Sequence, residues 1–76
     1  MTFHNEGAQQ VTVEKIASGS FSTTQSWNVR HSETVVIEAC DKCVYVVRDS
    51  KGPLKYMLAD AGDKNRIVNF NGKDWC

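Results

Sequence analysis

The amino-acid sequence predicts an all-β protein, a compact six-stranded antiparallel β-sandwich or small barrel stapled by a disulfide. Apolar residues recur with a period of two along much of the chain, which is typical of strands with one buried face. Gly, Ser, Asp and Asn residues interrupt these stretches at short intervals, as turns between strands do. No helix of useful length is predicted, and a chain of 76 residues is expected to form one domain.

The first half of the chain predicts three strands. Residues 1–8 precede them and are expected to form a flexible N-terminal segment. The first strand covers residues 9–17, and the second covers residues 21–29, where one face carries Phe21 and Trp27 and the other is polar. Residues 34–40 form a dense β-branched run, which favours a central strand.

The second half predicts three more strands. Asp41-Lys42 is expected to be the tip of a hairpin that returns along residues 43–48. A fifth strand follows Gly52-Pro53, with Leu54, Tyr56 and Leu58 alternating with Lys55 and Met57, and residues 66–70 form a sixth. Asn71-Gly72 is a strong signal for a type I′ turn, which would send Trp75 and Cys76 back along the preceding strand.

Charge and hydropathy exclude several functional classes. Nine basic residues balance nine acidic ones, which argues against a nucleic-acid partner, because phosphate binding normally needs a basic excess. No apolar run approaches the roughly 20 residues that cross a bilayer. The N-terminus lacks the features of a signal peptide. It predicts either an intracellular protein or a mature form whose leader was replaced by Met1, and the cysteine content favours the second.

The three cysteines are expected to supply the stability that so short a chain lacks. A disulfide from Cys43, or from Cys40, to Cys76 would close a loop of about 33 to 36 residues and contribute roughly 3.5 to 4 kcal/mol. A Cys40–Cys43 bridge would close almost no loop. Three alternatives stay open: a zinc site completed by His31 or His4, a redox pair, and free buried thiols.

Other polar residues give weaker signals. His31 lies in a polar turn without a nucleophile or orienting acid nearby in sequence, and is interpreted as a solvated turn residue. Asp60, Asp63 and Asn65 do not match a calcium loop and are interpreted as a hydrophilic turn. Because no catalytic constellation is evident, the chain is not expected to be an enzyme, and no cofactor is predicted.

Surface recognition is the remaining function. Tryptophan and arginine are enriched in binding hot spots, although a place in the core is the favoured interpretation of Trp27 and an equal alternative for Trp75. Basic residues at the turn between the fourth and fifth strands either protect a sheet edge or form a small basic contact. A partner could also add a strand to an exposed edge. The predicted partner-binding residues are Trp27, Arg48, Lys51, Lys55 and Trp75.

Three segments resemble the MAX and ToxB-like effectors, small secreted proteins of plant-pathogenic fungi: Val44-Tyr45-Val46-Val47, the run from Ile67 to Gly72, and the final Cys76. The resemblance covers about the last half of the chain. It implies a six-stranded β-sandwich closed by disulfides, host-protein binding through an exposed strand or surface loops, and no catalysis. The chain departs from that pattern because its first predicted strand contains no cysteine, so the bridge usual in these effectors cannot form.

The sequence therefore predicts a small secreted, disulfide-stabilised binding module, effector-like, that acts on a host or competitor protein. A site of action inside a host cell is compatible with this prediction. The protein is expected to be a monomer or weak dimer. One alternative is an intracellular phage or bacterial inhibitor of a larger enzyme, with reduced thiols. Another is a structural zinc-binding module.

Overall fold

The computed structural model describes residues 1–16, 23–40 and 42–75. These residues form seven β-strands and one short 3-10 helix, and they include no α-helix. The all-β class is confirmed, while the expected count of six strands is corrected to seven in the described part. The strands are β1 (Thr2–Asn5), β2 (Val11–Ile16), β3 (Thr23–Val29), β4 (Thr34–Val36), β5 (Cys43–Asp49), β6 (Gly52–Ala59) and β7 (Ile67–Phe70), and the 3-10 helix is Ala61–Asn65.

The strands form two sheets. Sheet A has the order β4-β1-β7, and sheet B has the order β3-β2-β5-β6. All pairs in sheet B are antiparallel, whereas β1 pairs antiparallel with β4 and parallel with β7. The parallel pair corrects the fully antiparallel prediction. It joins strands from opposite ends of the chain, so no local turn reveals it.

Residues 1–5 belong to the fold, which corrects the expectation that residues 1–8 form a flexible segment. β1 is the middle strand of sheet A, and Phe3 and Asn5 are fully buried. The α-ammonium group of Met1 donates hydrogen bonds to the carbonyl oxygens of Ile37 (2.9 Å) and Lys64 (3.0 Å). A strand of four residues is too short for its periodicity to be recognised in the sequence.

The predicted central strand at residues 34–40 is wrong in position. β4 has only three residues and lies at the edge of sheet A. Because β4 and β5 belong to different sheets, the segment between them links the sheets and is not the tip of a hairpin. Asp41 lies outside the described residues. β-branched composition indicates extended backbone, but it does not distinguish an edge strand from a central one.

One buried cluster draws side chains from both sheets. The rings of Phe3 and Phe70 in sheet A stack with centroids 6.0 Å apart. In sheet B, Trp27 is half-buried and its ring lies 6.4 Å from that of Tyr45. The cluster consists of Met1, Phe3, Val11, Val13, Val29, Ile37, Tyr45, Val47, Met57, Ala59, Val68 and Phe70.

β6 turns two large apolar residues, Tyr56 and Leu58, to solvent. Met57 and Ala59 are buried in the core cluster, whereas Tyr56 and Leu58 are 58% and 69% exposed. Residues 56–59 are all apolar, so a period of two cannot tell which face of this strand is buried. The alternation of Leu54, Tyr56 and Leu58 therefore predicted the strand but did not reveal its inward face.

The side chain of Asn5 organises the connection between β1 and β2. Its Nδ2 donates to the carbonyl oxygens of Gln9 (2.9 Å) and Val29 (3.0 Å), and its Oδ1 accepts from the backbone N–H of Gly7 (2.9 Å). Gly7 is pressed against the backbone of Gly72, since a Cβ there would lie 3.0 Å from the Cα of Gly72. These contacts fix the path of the chain into β2.

A turn at Asn71-Gly72 is confirmed, but the predicted type I′ is wrong, because Gly72 has a positive φ and Asn71 does not. Gly72 has a φ of +104°, a conformation that glycine adopts without strain. The side chain of Asn71 accepts hydrogen bonds from the backbone N–H groups of Lys73 and Asp74. Trp75 returns to form an antiparallel bridge with Phe70, and Cys76 lies outside the described residues.

Candidate functional site

Two of the three cysteines, Cys40 and Cys43, form a local pair. Cys40 and Cys43 lie at disulfide-bonding distance, with Cα atoms 5.5 Å apart, a separation that suits a disulfide. This pairing was not the one that sequence analysis favoured, because it closes a very short loop. The predicted bridge from Cys43 or Cys40 to Cys76 stays a prediction, because Cys76 lies outside the described residues. The two cysteines proposed to bond to Cys76 are, however, paired with each other in this structure.

Lys55 and Trp75, two of the predicted partner-binding residues, contact each other. The Lys55 ammonium nitrogen lies 5.1 Å from the Trp75 ring centroid and 3.0 Å from Oδ1 of Asp74. The hydrogen bond from Lys55 is the main reason that the pKa of Asp74 is lowered, followed by the hydrogen bond from the Trp75 backbone N–H and the Lys55 charge. Trp75 is half-buried against the core cluster.

Trp27, another predicted binding residue, is only partly exposed. It lies on the inward face of β3, half-buried and packed against the core cluster. Only part of its ring is therefore accessible to a partner.

The outward face of sheet B carries an apolar patch, here called the outer patch, which consists of Ile16, Val44, Tyr56 and Leu58. Val44 pairs with Ile16 on β2 and with Leu58 on β6, so three apolar side chains form a row across three strands. Tyr56 lies in the next row, opposite Val46. Ile16 and Val44 are half-buried, whereas Tyr56 and Leu58 are largely exposed.

The neighbouring row joins the outer patch to an ion pair. Val46 is buried although it lies outside the core cluster, and its partners in register are Glu14 and Tyr56. The carboxylate of Glu14 forms an ion pair with Nε of Arg48. Both charged side chains are thus positioned on the outward face beside Tyr56.

A polar cleft of about 600 Å³ continues this face at the end of sheet B. It lies between the chain that enters β2 and the turn that joins β5 to β6. We call it the turn cleft, and it is lined by Gln9, Gln10, Thr12, Arg48, Asp49, Ser50 and Lys51. The cleft therefore holds two of the predicted partner-binding residues, Arg48 and Lys51, whereas Lys55 and Trp75 do not line it.

The remaining polar candidates are occupied in local structure. Nδ1 of His31 lies 2.7 Å from the Gly7 carbonyl oxygen, and Nδ1 of His4 lies 2.7 Å from Oγ1 of Thr34.

The acidic residues near position 60 cap the 3-10 helix. The side chain of Asp60 accepts a hydrogen bond from the backbone N–H of Gly62, and the side chain of Asp63 accepts one from the backbone N–H of Asp60. Within residues 1–16, 23–40 and 42–75, no group of three potential ligand side chains is arranged to hold a metal ion.

The sequence analysis did not predict the outer patch, nor did it predict that Gln9 and Gln10 line the turn cleft. Tyr56 and Leu58 were interpreted only as members of a strand, since a fully apolar run hides its inward face. Gln9 and Gln10 precede β2 without any motif. The sequence does contain one signal for the outer patch, which is the surplus of apolar residues in the fifth predicted strand. Only one face of an edge strand packs against the core, so the remaining apolar residues must face solvent.

In the described part of the chain, no helix is long and apolar enough to cross a membrane. Comparison of the chain with protein-family models, with curated proteins and with solved structures finds no match. The resemblance to fungal effectors therefore stays a prediction. The candidate functional site is the outer patch together with the adjoining turn cleft.

Proposed function

We propose that this chain is a small binding module that recognises another protein through the outer patch. The observation that carries the proposal is the exposure of Tyr56 and Leu58 on β6, in register with Val44 and Ile16. Contiguous exposed apolar surface that is bordered by polar residues is typical of interaction sites. Tyrosine is also among the residues that most often dominate binding energy.

The position of the outer patch supports binding to a protein surface. β6 lies at the edge of sheet B, with β5 as its one strand neighbour in the described part. Burying a leucine side chain contributes about 1.5 to 3 kcal/mol, and about 1.4 kcal/mol changes a dissociation constant tenfold. Leu58 and Tyr56 together are thus able to supply a large share of a moderate affinity.

We extend the proposal to a secreted protein that acts on a host or competitor protein, as the effector-like interpretation implies. The support is the Cys40–Cys43 pair at disulfide distance, because disulfides persist mainly in oxidising compartments. The zinc alternative has less support, since two cysteines joined to each other cannot ligate a metal as thiolates.

Selection from a random linear peptide library displayed on phage tests the outer patch. Peptides selected on the wild-type protein are synthesised, and their dissociation constants are measured for a Tyr56→Ser/Leu58→Ser variant. We expect the variant to bind at least about tenfold more weakly, because two apolar contacts are lost. The matched control is Val36→Ser/Ile67→Ser, which removes two other exposed apolar residues and is expected to bind as the wild type does.

Equal affinity for the wild type and the Tyr56→Ser/Leu58→Ser variant would overturn the proposal, as would a selection that enriches no peptide. Amide spectra of both double variants, recorded by NMR, establish that each keeps its fold before affinities are compared.

A further inference from the structure

We propose that the turn cleft receives an acidic side chain of the bound protein, so that the recognised segment carries a carboxylate beside its apolar residues. This inference rests on the proposed function, because it assigns the chemistry of the partner that the outer patch binds. It concerns a separate group of residues, which are polar and lie at the end of the same face.

The turn cleft and the outer patch are close enough to be contacted by one short segment. Arg48 and Val46 lie on the same face of β5, two residues apart, which corresponds to about 7 Å along a strand. Tyr56 lies opposite Val46, and Thr12, which lines the cleft, lies opposite Arg48. A partner in extended conformation would span this distance with side chains at positions two residues apart.

The lining of the cleft carries two cations, Arg48 and Lys51, against one carboxylate, Asp49. Arg48 is held in place by Glu14, whose side chain is only 15% exposed, while the side chain of Arg48 remains 45% exposed. A guanidinium group has five N–H donors in a planar fork, so an ion pair at Nε leaves the fork suited to a second carboxylate. The side chain of Lys51 is exposed, and it forms no ion pair with the described residues.

The acidic residue of the cleft does not cancel these cations completely. Oδ1 of Asp49 accepts a hydrogen bond from the backbone N–H of Lys51 at 2.8 Å, so this carboxylate is engaged within its own turn. The hydroxyl of Thr12 donates away from the cleft to Oδ1 of Asn28. The neutral side-chain donors that remain at this site are the amides of Gln9 and Gln10 and the hydroxyl of Ser50. The backbone at Gln9 is anchored by Asn5.

Parallel phage selections on three forms of the protein test the inference. On the wild type we expect peptides that combine apolar residues with Asp or Glu. On Lys51→Glu we expect the apolar consensus without the acidic enrichment, because the reversed charge repels a carboxylate. On Tyr56→Ser/Leu58→Ser we expect the apolar consensus to be lost.

A selected peptide then supplies the quantitative measurement. Replacing its acidic residue by the matching amide is expected to weaken binding to the wild type about fivefold to tenfold, which is the range of an exposed ion pair with a charge-assisted hydrogen bond. The same replacement is expected not to weaken binding to Lys51→Glu, because the reversed charge already repels the carboxylate. Lys73→Glu is the matched control, since Lys73 is exposed and does not line the cleft.

The outcomes separate this inference from the proposed function. Peptides that depend on Tyr56 and Leu58 but show no acidic preference would overturn the inference and leave the binding module intact. Acidic enrichment that persists on Lys51→Glu would also overturn it. N-acetylaspartate serves as a competitor that carries a carboxylate without the rest of the peptide. If millimolar N-acetylaspartate competes for the protein as well as the selected peptide does, the cleft binds a free carboxylate, and the proposed role of the partner's side chain is overturned.

Discussion

The ammonium nitrogen of Lys55 lies 5.1 Å from the centroid of the Trp75 ring, so strand β6 holds the C-terminal end of the described chain. A cation over an aromatic face contributes about 0.5 to 1 kcal/mol at an exposed site. The same nitrogen also reaches Asp74 at 3.0 Å. Two residues that the sequence assigned to a partner thus have a structural role in the free protein, and Arg48 and Lys51 of the turn cleft remain for recognition.

This contact predicts the titration of Asp74. The hydrogen bond from Lys55 lowers the pKa of the Asp74 carboxyl group in the folded protein, so the unfolded chain takes up the proton first as the pH falls. The stability that this carboxylate contributes is therefore present above its unfolded pKa of about 3.9 and is lost as the pH falls through the folded value.

Carboxyl-carbon NMR measures the pKa of Asp74 directly. We expect a value below 3.9 in the wild type, and a rise towards this usual value in Lys55→Met, which keeps the length of the side chain without its charge. Lys51→Met is the control, because Lys51 has no ion pair in the described part of the chain. An Asp74 pKa that is the same in Lys55→Met and the wild type would contradict the assignment.

Replacing Asn5 by alanine is expected to destabilise the fold strongly. The substitution removes three hydrogen bonds of a fully buried side chain, those to Gln9, Val29 and Gly7. At about 1 kcal/mol for each bond the loss is roughly 3 kcal/mol, a large part of the stability of a domain this small. Urea unfolding followed by tryptophan fluorescence measures it.

Asn5→Asp distinguishes the hydrogen bonds from the volume of the side chain. A carboxylate would face the carbonyl oxygens of Gln9 and Val29, so we expect this near-isosteric variant to be destabilised at neutral pH and to recover partly in acid. Asn65→Ala changes an exposed asparagine and is expected to alter the free energy of unfolding by less than about 0.5 kcal/mol. An Asn5→Ala variant as stable as this control would show that the network contributes nothing.

The strands of sheet B were predictable because their signals are local. Val11 and Val13 alternate with polar residues, and the Val44–Val47 run is long enough to mark a buried strand. The strand predicted at residues 9–17 contains the whole of β2, and the strand predicted at residues 43–48 covers β5 except for Asp49. Here local composition and tertiary position agree, so the sequence pattern alone was sufficient.

Sheet A was not predictable, because it depends on contacts between distant parts of the chain. β1 pairs with β4 across at least 30 residues and with β7 across more than 60, and no local turn signal indicates such pairs. The candidate site was predicted only in part for a related reason. Arg48 and Lys51 are visible as charges near a turn, whereas the exposure of Tyr56 and Leu58 depends on which face of β6 meets the core.

The cysteine pairing predicts a specific peptide map. Trypsin cleaves after Lys42 and Arg48, so a Cys40–Cys43 bridge would join the peptide of residues 31–42 to that of residues 43–48. Cys76 would then be the single reactive thiol, in the peptide of residues 74–76. Mass spectrometry of the digest without reductant identifies the linked peptides.

The same map decides between the predicted pairings. A linked peptide that contains residues 74–76 would show that the bridge to Cys76 is correct and the local one is not. For the local bridge, Cys40→Ser/Cys43→Ser is expected to lower the free energy of unfolding by about 2 kcal/mol, since the closed loop is very short. Cys76→Ser is the matched control, and its unfolding free energy is expected to equal that of the wild type.

Tyr45 predicts a loss of stability in alkaline solution. Burial, and then the nearby charge of Glu38, raise the pKa of its hydroxyl above 10.0, and this hydroxyl donates a hydrogen bond to the Glu38 backbone carbonyl. Below pH 10 the phenol is protonated in both the folded and unfolded states. Above it the unfolded phenol releases its proton first, so stability falls as the pH rises from about 10 to the higher folded value.

Urea unfolding of the wild type and Tyr45→Phe, measured from neutral pH to about pH 11, isolates this effect. Tyr45→Phe is expected to be less stable at neutral pH by about 1 to 2 kcal/mol, because the Glu38 carbonyl loses its partner. The difference should shrink above pH 10, since only the wild type carries the ionising phenol. Tyr56→Phe changes the exposed tyrosine and is expected to follow the wild type throughout. A difference between wild type and Tyr45→Phe that stays constant with pH would contradict the raised pKa of Tyr45.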